Sequence, residues 1–171
     1  MGSEGKARRD ADFARFVAAS TPSLLRTARL LTGSRDAAQE LVQATLVKTY
    51  LAWHRVRDED ALPYARRILV NQRTDRWRRT RGEVVVAEPP DRVHDDGTGS
   101  DDRDQIVRLL ATLPERQRYV VVLRYYHDLS EQAVAELLGI SVGTVKSAAS
   151  RGLATLRAAH PSPDPSEESL R

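Results

Sequence analysis

The middle of this chain offers nothing from which a core could be built. Glu88-Pro89-Pro90-Asp91 and Asp95-Asp96-Gly97-Thr98-Gly99-Ser100-Asp101-Asp102 combine proline, glycine, serine and like charge with almost no apolar surface. That is the composition of a linker. Its one apolar run, Val84-Val85-Val86, reads as either a stray strand or a docking point. Residues 82–103 therefore divide the 171-residue chain into two pieces, 1–81 and 104–160, each the size of a small domain. After them, Pro161-Ser162-Pro163-Asp164-Pro165-Ser166-Glu167-Glu168 predicts a disordered tail over 161–171.

Charge follows the same division. Residues 1–81 carry a net +8, residues 82–104 a net −6 and residues 105–171 a net +1. The overall +3 conceals a basic body crossed by an acidic strap. Basic surfaces attract polyanions, and an acidic strap repels or mimics them. The strap can be read as self-inhibitory, lying over the basic faces, but a solvated spacer is the plainer reading.

Several classes drop out. With no cysteine, disulfide staples, Cys-based zinc sites and thiol nucleophiles are excluded. His54, His94, His127 and His160 are scattered without the i, i+4 spacing of a helical metal site, so neither metal nor cofactor is expected. No GxxxxGK[ST] string occurs, and no GxSxG nucleophile elbow is read: Gly139-Ile140-Ser141-Val142-Gly143 has that spelling but joins two helical segments. No apolar run reaches the roughly 18 residues of a membrane span, and no signal peptide is legible. The expectation is a soluble, cytoplasmic protein without membrane insertion.

Both pieces read as helical, so the expected fold is all-α: two small helical domains on a flexible acidic linker. Phe13, Phe16 and Val17 recur at helical spacing, and Leu24, Leu25, Ala28 and Leu31 resume it after an expected break at Thr21-Pro22. Gly33 closes that helix and Ser34 caps the next. Ala38, Leu41, Val42, Thr45, Leu46, Thr49 and Tyr50 form one stripe from Arg35 to Trp53. Asp58-Glu59-Asp60 then open a third helix with apolar side Leu62, Ala65, Ile68 and Leu69. Four shorter periodic segments follow, from about Arg103 to Thr112, Pro114 to Tyr126, Ser130 to Gly139 and Ser141 to Ala159. The run Val120-Val121-Val122-Leu123 resembles a strand but lacks a partner, which favours helix.

The last two segments have helix-turn-helix grammar. Ala133, Val134, Leu137 and Leu138 line a short helix, Gly139 supplies the turn, and Ile140 and Val145 fill the angle. Val145, Ala149, Gly152, Leu153 and Leu156 face inward, which leaves Lys146, Ser147, Ser150 and Arg151 outward. Such a face fits a major groove, with Lys146 and Arg151 reaching phosphates or guanine edges. The bland alternative is a helical hairpin with a solvated face. The helix from Ala61 to Arg81 is the second constellation. It carries Arg66, Arg67, Arg73, Arg76, Arg78, Arg79 and Arg81 against the single acid Asp75, with Tyr64 and Trp77 interleaved. Arginines track phosphates and aromatics stack on unpaired bases, a surface for single-stranded or melting DNA. The alternative is a solvated cationic helix whose aromatics, Trp77 first, belong to the core.

Four strings in order now resemble one family. Asp36-Ala37-Ala38-Gln39-Glu40-Leu41-Val42-Gln43 is similar to the polymerase-binding helix of the extracytoplasmic-function class of bacterial RNA polymerase sigma factors, in particular the actinobacterial SigE-like group. Pro63-Tyr64-Ala65-Arg66-Arg67-Ile68-Leu69-Val70-Asn71 through Asp75-Arg76-Trp77-Arg78-Arg79 resembles its −10 element helix. Leu113-Pro114-Glu115-Arg116-Gln117-Arg118 with Val121 to Tyr126 resembles the entry to its −35 domain, and Leu138-Gly139-Ile140-Ser141-Val142-Gly143-Thr144-Val145-Lys146-Ser147 its −35 helix-turn-helix.

The resemblance implies a non-enzymatic promoter-specificity subunit whose partners are core RNA polymerase and promoter DNA, double-stranded at −35 and melted at −10. An anti-sigma factor is a further candidate partner. Glu40, Leu41, Val42 and Gln43 would dock on polymerase. Tyr64, Arg66, Arg67, Asn71, Arg73, Trp77 and Arg78 would read and open the −10 element, with the loop from about Trp53 to Asp60 holding a flipped base. Ser141, Thr144, Lys146, Ser147, Ser150 and Arg151 would read the −35 element. The competing assignment is an autonomous helix-turn-helix transcription regulator, which would normally carry a sensor domain or dimer interface. A recombinase-like enzyme would need carboxylates held rigidly, and the densest group of them here lies in the strap. The chain departs from the family pattern at Glu40, usually Asp, at Ala44, usually Glu, and at Ala148, usually Arg. The last predicts a missing DNA contact that Ala148→Arg would restore.

Overall fold

The first helix, α1 (Gly2–Thr32), runs unbroken past the proline expected to interrupt it. In this computed structural model, which describes residues 2–80 and 101–159, Pro22 lies on the exposed side of α1. A proline in a helix interior removes one backbone donor and crowds the preceding turn. Just before it, the Ser20 and Thr21 hydroxyls donate to the carbonyls of Phe16 (2.7 Å) and Val17 (2.6 Å). Such back-bonding accommodates a bend without ending the helix. Packing secures both halves, Phe13 and Phe16 on one side of the proline and the fully buried Leu24, Ala28 and Leu31 on the other. Tertiary contact overrides the local signal.

Gly33 closes α1 at φ 68°, donating its N–H to the Arg29 carbonyl (2.8 Å), and the Ser34 hydroxyl accepts from Ala37 N–H to cap α2 (Arg35–Ala52). Two single 3₁₀ turns, Trp53–Arg55 and Asp58–Asp60, lead into α3 (Ala61–Thr80), so the acidic triplet makes the turn before the helix rather than its first turn. The three helices pack against one another around Leu24, Leu31, Ala38, Val42, Ala65 and Leu69. Thr45, Thr49 and Thr74 are also fully buried. Their hydroxyls donate to Leu41, Thr45 and Val70 carbonyls at 2.8, 2.8 and 2.9 Å, so each of these three donors is satisfied.

The chain separates into two units, Met1–Gly97 and Thr98–Arg171. In the second, α4 (Asp101–Ala111) starts two residues before its expected position, because the apolar period that marks it begins only at Ile106. Next, α5 (Glu115–Val121) continues through a π-helical turn, Val122–Tyr126, so the valine run is helical as expected. Ser130 caps α6 (Glu131–Leu138), accepting from Ala133 N–H at 3.1 Å. Gly139 turns the chain at φ 63°, a conformation that a Cβ resists, and α7 (Val142–Ala159) follows. Helix α7 packs on α5 across Gly152, where an added Cβ would lie 2.9 Å from Val121 Cγ2. Tyr119, Leu123, Val134, Leu138 and Val145 form the fully buried centre. Among the described residues there is no strand. The strap residues 82–100, with Val84-Val85-Val86, and the tail 161–171 lie outside the described residues.

Candidate nucleic-acid interface

Helix α7 presents a polar ridge. The Ser141 hydroxyl accepts from Thr144 N–H (3.1 Å) and lies 2.9 Å from Thr144 Oγ1, so both side chains shape the helix start. Lys146, Ser150 and Arg151 are exposed, with Ser147 half-buried behind them. Arg151 folds back along the helix, donating from Nε to the Ser147 carbonyl (3.3 Å) and from Nη2 to the Ser147 hydroxyl (3.2 Å). Lys146 Nζ stands 3.7 Å from Glu131 Oε2 at the start of α6. The ridge thus has two exposed cations of long reach, Arg151 folded onto its own helix and Lys146 shared with a carboxylate. Ala148 is not on this ridge. It is 3% exposed, on the buried side with Val145 and Ala149. Three residues beyond Val145, it falls on the core face of a helix of 3.6 residues per turn. The expected missing DNA contact at 148 is therefore corrected: this position belongs to the core.

Helix α3 gathers Tyr64, Arg67, Asn71 and Arg78 along one accessible face, at the three- and four-residue intervals that align side chains. The Arg67 guanidinium lies over the Tyr64 ring (5.6 Å to the centroid), while Arg78 stays near Asp75 (4.0 Å). Other expected members are directed elsewhere. Arg66 donates to Ser23 Oγ on α1 (2.7 Å), and Arg73 is half-buried. Trp77 is 6% exposed, which answers its ambiguity in favour of the core. Its indole has no open face on which a base could stack.

Beside Tyr64 lies a half-open surface cavity of about 490 Å³, lined by Ala52, Arg55, Val56, Arg57, Asp60 and Tyr64. Two guanidinium groups, one carboxylate and one phenol around an apolar Val56 can hold a flat polar ring beside a phosphate. The sequence pointed to this loop only through the family resemblance. Arg55 and Arg57, two arginines flanking one valine, were the signal within it.

A third surface lies on α2. Glu40 and Gln43 are exposed and Leu41 is half-buried, but Val42 is 3% exposed and faces the core with Ala38 and Thr45. Its place in the expected polymerase contact is corrected accordingly. Sequence reasoning missed Val47 and Leu51, which are 61% and 68% exposed. With Glu40, Gln43 and Ala44 they make an outward stripe at positions 40, 43, 44, 47 and 51. The available signal was apolar residues falling outside the buried stripe.

Behind the cavity loop sits an aromatic cluster. Trp53 packs on Phe13 and Phe16 (ring centroids 5.1 and 5.0 Å), and Phe13 on Tyr50 (5.0 Å). The Tyr50 hydroxyl donates to Asp10 Oδ1 (2.6 Å) and accepts from Arg9 Nη2 (3.2 Å). That hydrogen bond raises the Arg9 guanidinium further above its ordinary pKa. Among the described residues, no group of three or more His, Cys, Asp or Glu is placed to hold a metal ion, and no helix is long and apolar enough to cross a membrane.

Two family patterns match the chain: Sigma-70 region 2 over residues 16–83, and Sigma-70, region 4 over residues 103–156. The RNA polymerase sigma-E factor of Streptomyces avermitilis is 41% identical over 149 residues, 85% of this chain and 83% of that protein. The sigma-E factor of Streptomyces coelicolor is 40% identical, with 85% and 84% covered. Among solved structures, the sigma factor RpoE of Bartonella quintana, in complex with the anti-sigma factor NepR, superposes with a TM-score of 0.57 at 27% identity. The match covers 86% of this chain and 95% of that one.

Proposed function

The chain belongs to the extracytoplasmic-function RNA polymerase sigma factors, which direct transcription initiation, and from that premise we propose how its surfaces divide the work. The α2 stripe docks on core polymerase through Glu40 and Gln43, with the half-buried Leu41 at its edge, and is extended by Ala44, Val47 and Leu51. An apolar strip edged by a carboxylate and an amide is suited to a partner helix. Residues 1–81 act as the −10 domain and 104–160 as the −35 domain, with 82–103 as the linker and 161–171 as a tail. In the −10 domain, Tyr64, Arg67, Asn71 and Arg78 meet the separating strands. The cavity beside Tyr64 takes one unpaired base, with Arg55 and Arg57 on the flanking phosphates. Arg66 and Arg73 support α3 from its sides.

In the −35 domain, α7 enters the major groove. Lys146, Ser150 and Arg151 supply base and phosphate contacts, and Ser141, Thr144 and Ser147 form the polar start of the helix. Phosphodiester formation belongs to the polymerase, so the chain is no enzyme and needs no cofactor. It works in the cytoplasm, where polymerase and DNA are. The Bartonella protein was solved with an anti-sigma factor, which supports a partner of that kind here too.

The observation that carries this reading is the presence of two distinct DNA-type surfaces on two separate units, one a helix-turn-helix ridge and the other an arginine-lined cavity. The test is reconstitution with bacterial core polymerase on fragmented actinobacterial genomic DNA, followed by sequencing of transcript starts. Starts preceded by two spaced elements are expected. If the folded chain neither bound core nor initiated, the assignment of these surfaces would fall.

A further inference from the structure

The Sigma-70 region 2 match begins at residue 16, yet α1 begins at Gly2. Residues 2–15 precede that match, and they are docked: side chains among them meet the end of α2. Arg9 and Asp10 grip the Tyr50 hydroxyl from both sides, at 3.2 and 2.6 Å. The Arg9 guanidinium also lies over the Tyr50 ring (4.9 Å to the centroid). Phe13 stands edge-on to both Tyr50 and Trp53.

Trp53 is where this matters. It is 7% exposed, it ends α2, and it starts the 3₁₀ turn of the cavity loop. The loop closes back on it, Val56 N–H donating to the Trp53 carbonyl (3.3 Å). Ala52 before Trp53, and Arg55, Val56 and Arg57 after it, line the cavity. A large planar side chain fixed on both sides by aromatic rings holds its backbone with little freedom. Whatever fixes the Trp53 ring therefore fixes the wall on which a base would rest.

We propose that the N-terminal segment of α1, through Arg9, Asp10 and Phe13, is a positioning element for base capture: it locks the Tyr50–Trp53 platform and so sets the cavity loop in its receptive form. This rests on the reading that the cavity takes an unpaired −10 base. Arg9, Asp10 and Phe13 are positioning residues and touch no DNA themselves. Pre-organisation of this kind appears as tighter capture, because the ordering cost is met before the base arrives.

The test uses reconstituted holoenzyme and promoter fragments already unpaired across the −10 element, either intact or with single abasic sites. Wild type should lose roughly tenfold in affinity at one abasic position, the scale of one stacked base. Phe13→Ala should bind the intact bubble several-fold more weakly and the abasic bubble as wild type does, reducing the ratio to about twofold. Tyr50→Phe keeps every ring contact and removes both hydroxyl bonds, so it should leave an intermediate ratio, and it decides the matter if Phe13→Ala does not fold. Affinity for core polymerase should be unchanged in both, which separates positioning from general damage. If wild type discriminates and folded variants keep the full ratio, the positioning role is overturned while base capture stands. If wild type shows no abasic effect at any position, base capture falls and the positioning role with it.

Discussion

At the scale of single residues, the decisive quantity is which side of a helix a position occupies. Ala148 was expected to mark a lost DNA contact, and its burial reverses the expected result of adding one. An arginine there must push its stem through the α7 core before its charge meets water. Overpacking of this kind costs about 1–3 kcal/mol. Ala148→Arg should therefore lower the urea midpoint, with no steepening of the salt dependence of −35 binding. Lys146 is the contrasting case, exposed but 3.7 Å from Glu131. An exposed ion pair adds little to stability, so its effect appears in binding. Glu131→Gln releases Lys146 for phosphate, and the slope of log affinity against log salt should steepen by up to about 0.9. Lys146→Ala should flatten it by a similar amount. A titration of a −35 duplex at several salt concentrations reads both, and equal slopes for the two variants would remove Lys146 from the interface.

At the scale of elements, the interruption in α1 was the principal misreading, and its cause is physical. Proline is a strong local stop signal, while the packing that overrides it is non-local: Phe13 and Phe16 meet Tyr50 and Trp53, some forty residues on. No window along the sequence contains both partners. The caps were different. Ser34, Ser130 and Ser141 act on backbone donors three residues away, so they were legible and the structure has them. The helix-turn-helix was legible for the same reason, since a single glycine at φ 63° and a short apolar period define it. The half-open cavity was legible only through resemblance, because it needs α2, two 3₁₀ turns and α3 to meet at one place. Pro22 now makes a direct prediction. It sits exposed within a continuous helix, where proline is about 3 kcal/mol worse than alanine. The hydroxyl bonds of Ser20 and Thr21 and the bend they permit recover part of that. Pro22→Ala should stabilise the protein by about 1–2 kcal/mol, seen as a higher urea midpoint with an unchanged m-value. A destabilised variant would mean that the helix geometry set by Pro22 is needed to seat Phe13 and Leu24 together.

At the scale of the whole molecule, the proposed function makes the chain a bivalent binder, with one DNA surface on each unit. Its second contact is governed by effective concentration rather than by intrinsic affinity. Residues 81–100 join the two described parts, and twenty residues span at most about 70 Å. Moving one promoter element by half a helical turn, about five base pairs, shifts it about 17 Å along the duplex and to the opposite face. A chain joined only by a linker, which the composition of 82–103 predicts, can follow that displacement at small cost, because closure entropy varies slowly with span. If core polymerase binds both units, as the proposed function requires, it restricts that freedom. Inserting five base pairs between the −35 and −10 elements should then change the affinity of the free chain by no more than about threefold, and reduce holoenzyme initiation at least about tenfold. Gel-shift titration and run-off transcription on the same pair of fragments measure the two. Equal losses in both would mean that the chain itself fixes the distance between its surfaces, and that polymerase receives a ruler already set. Unequal losses in the expected direction assign the ruler to polymerase and leave to this chain the reading of each element.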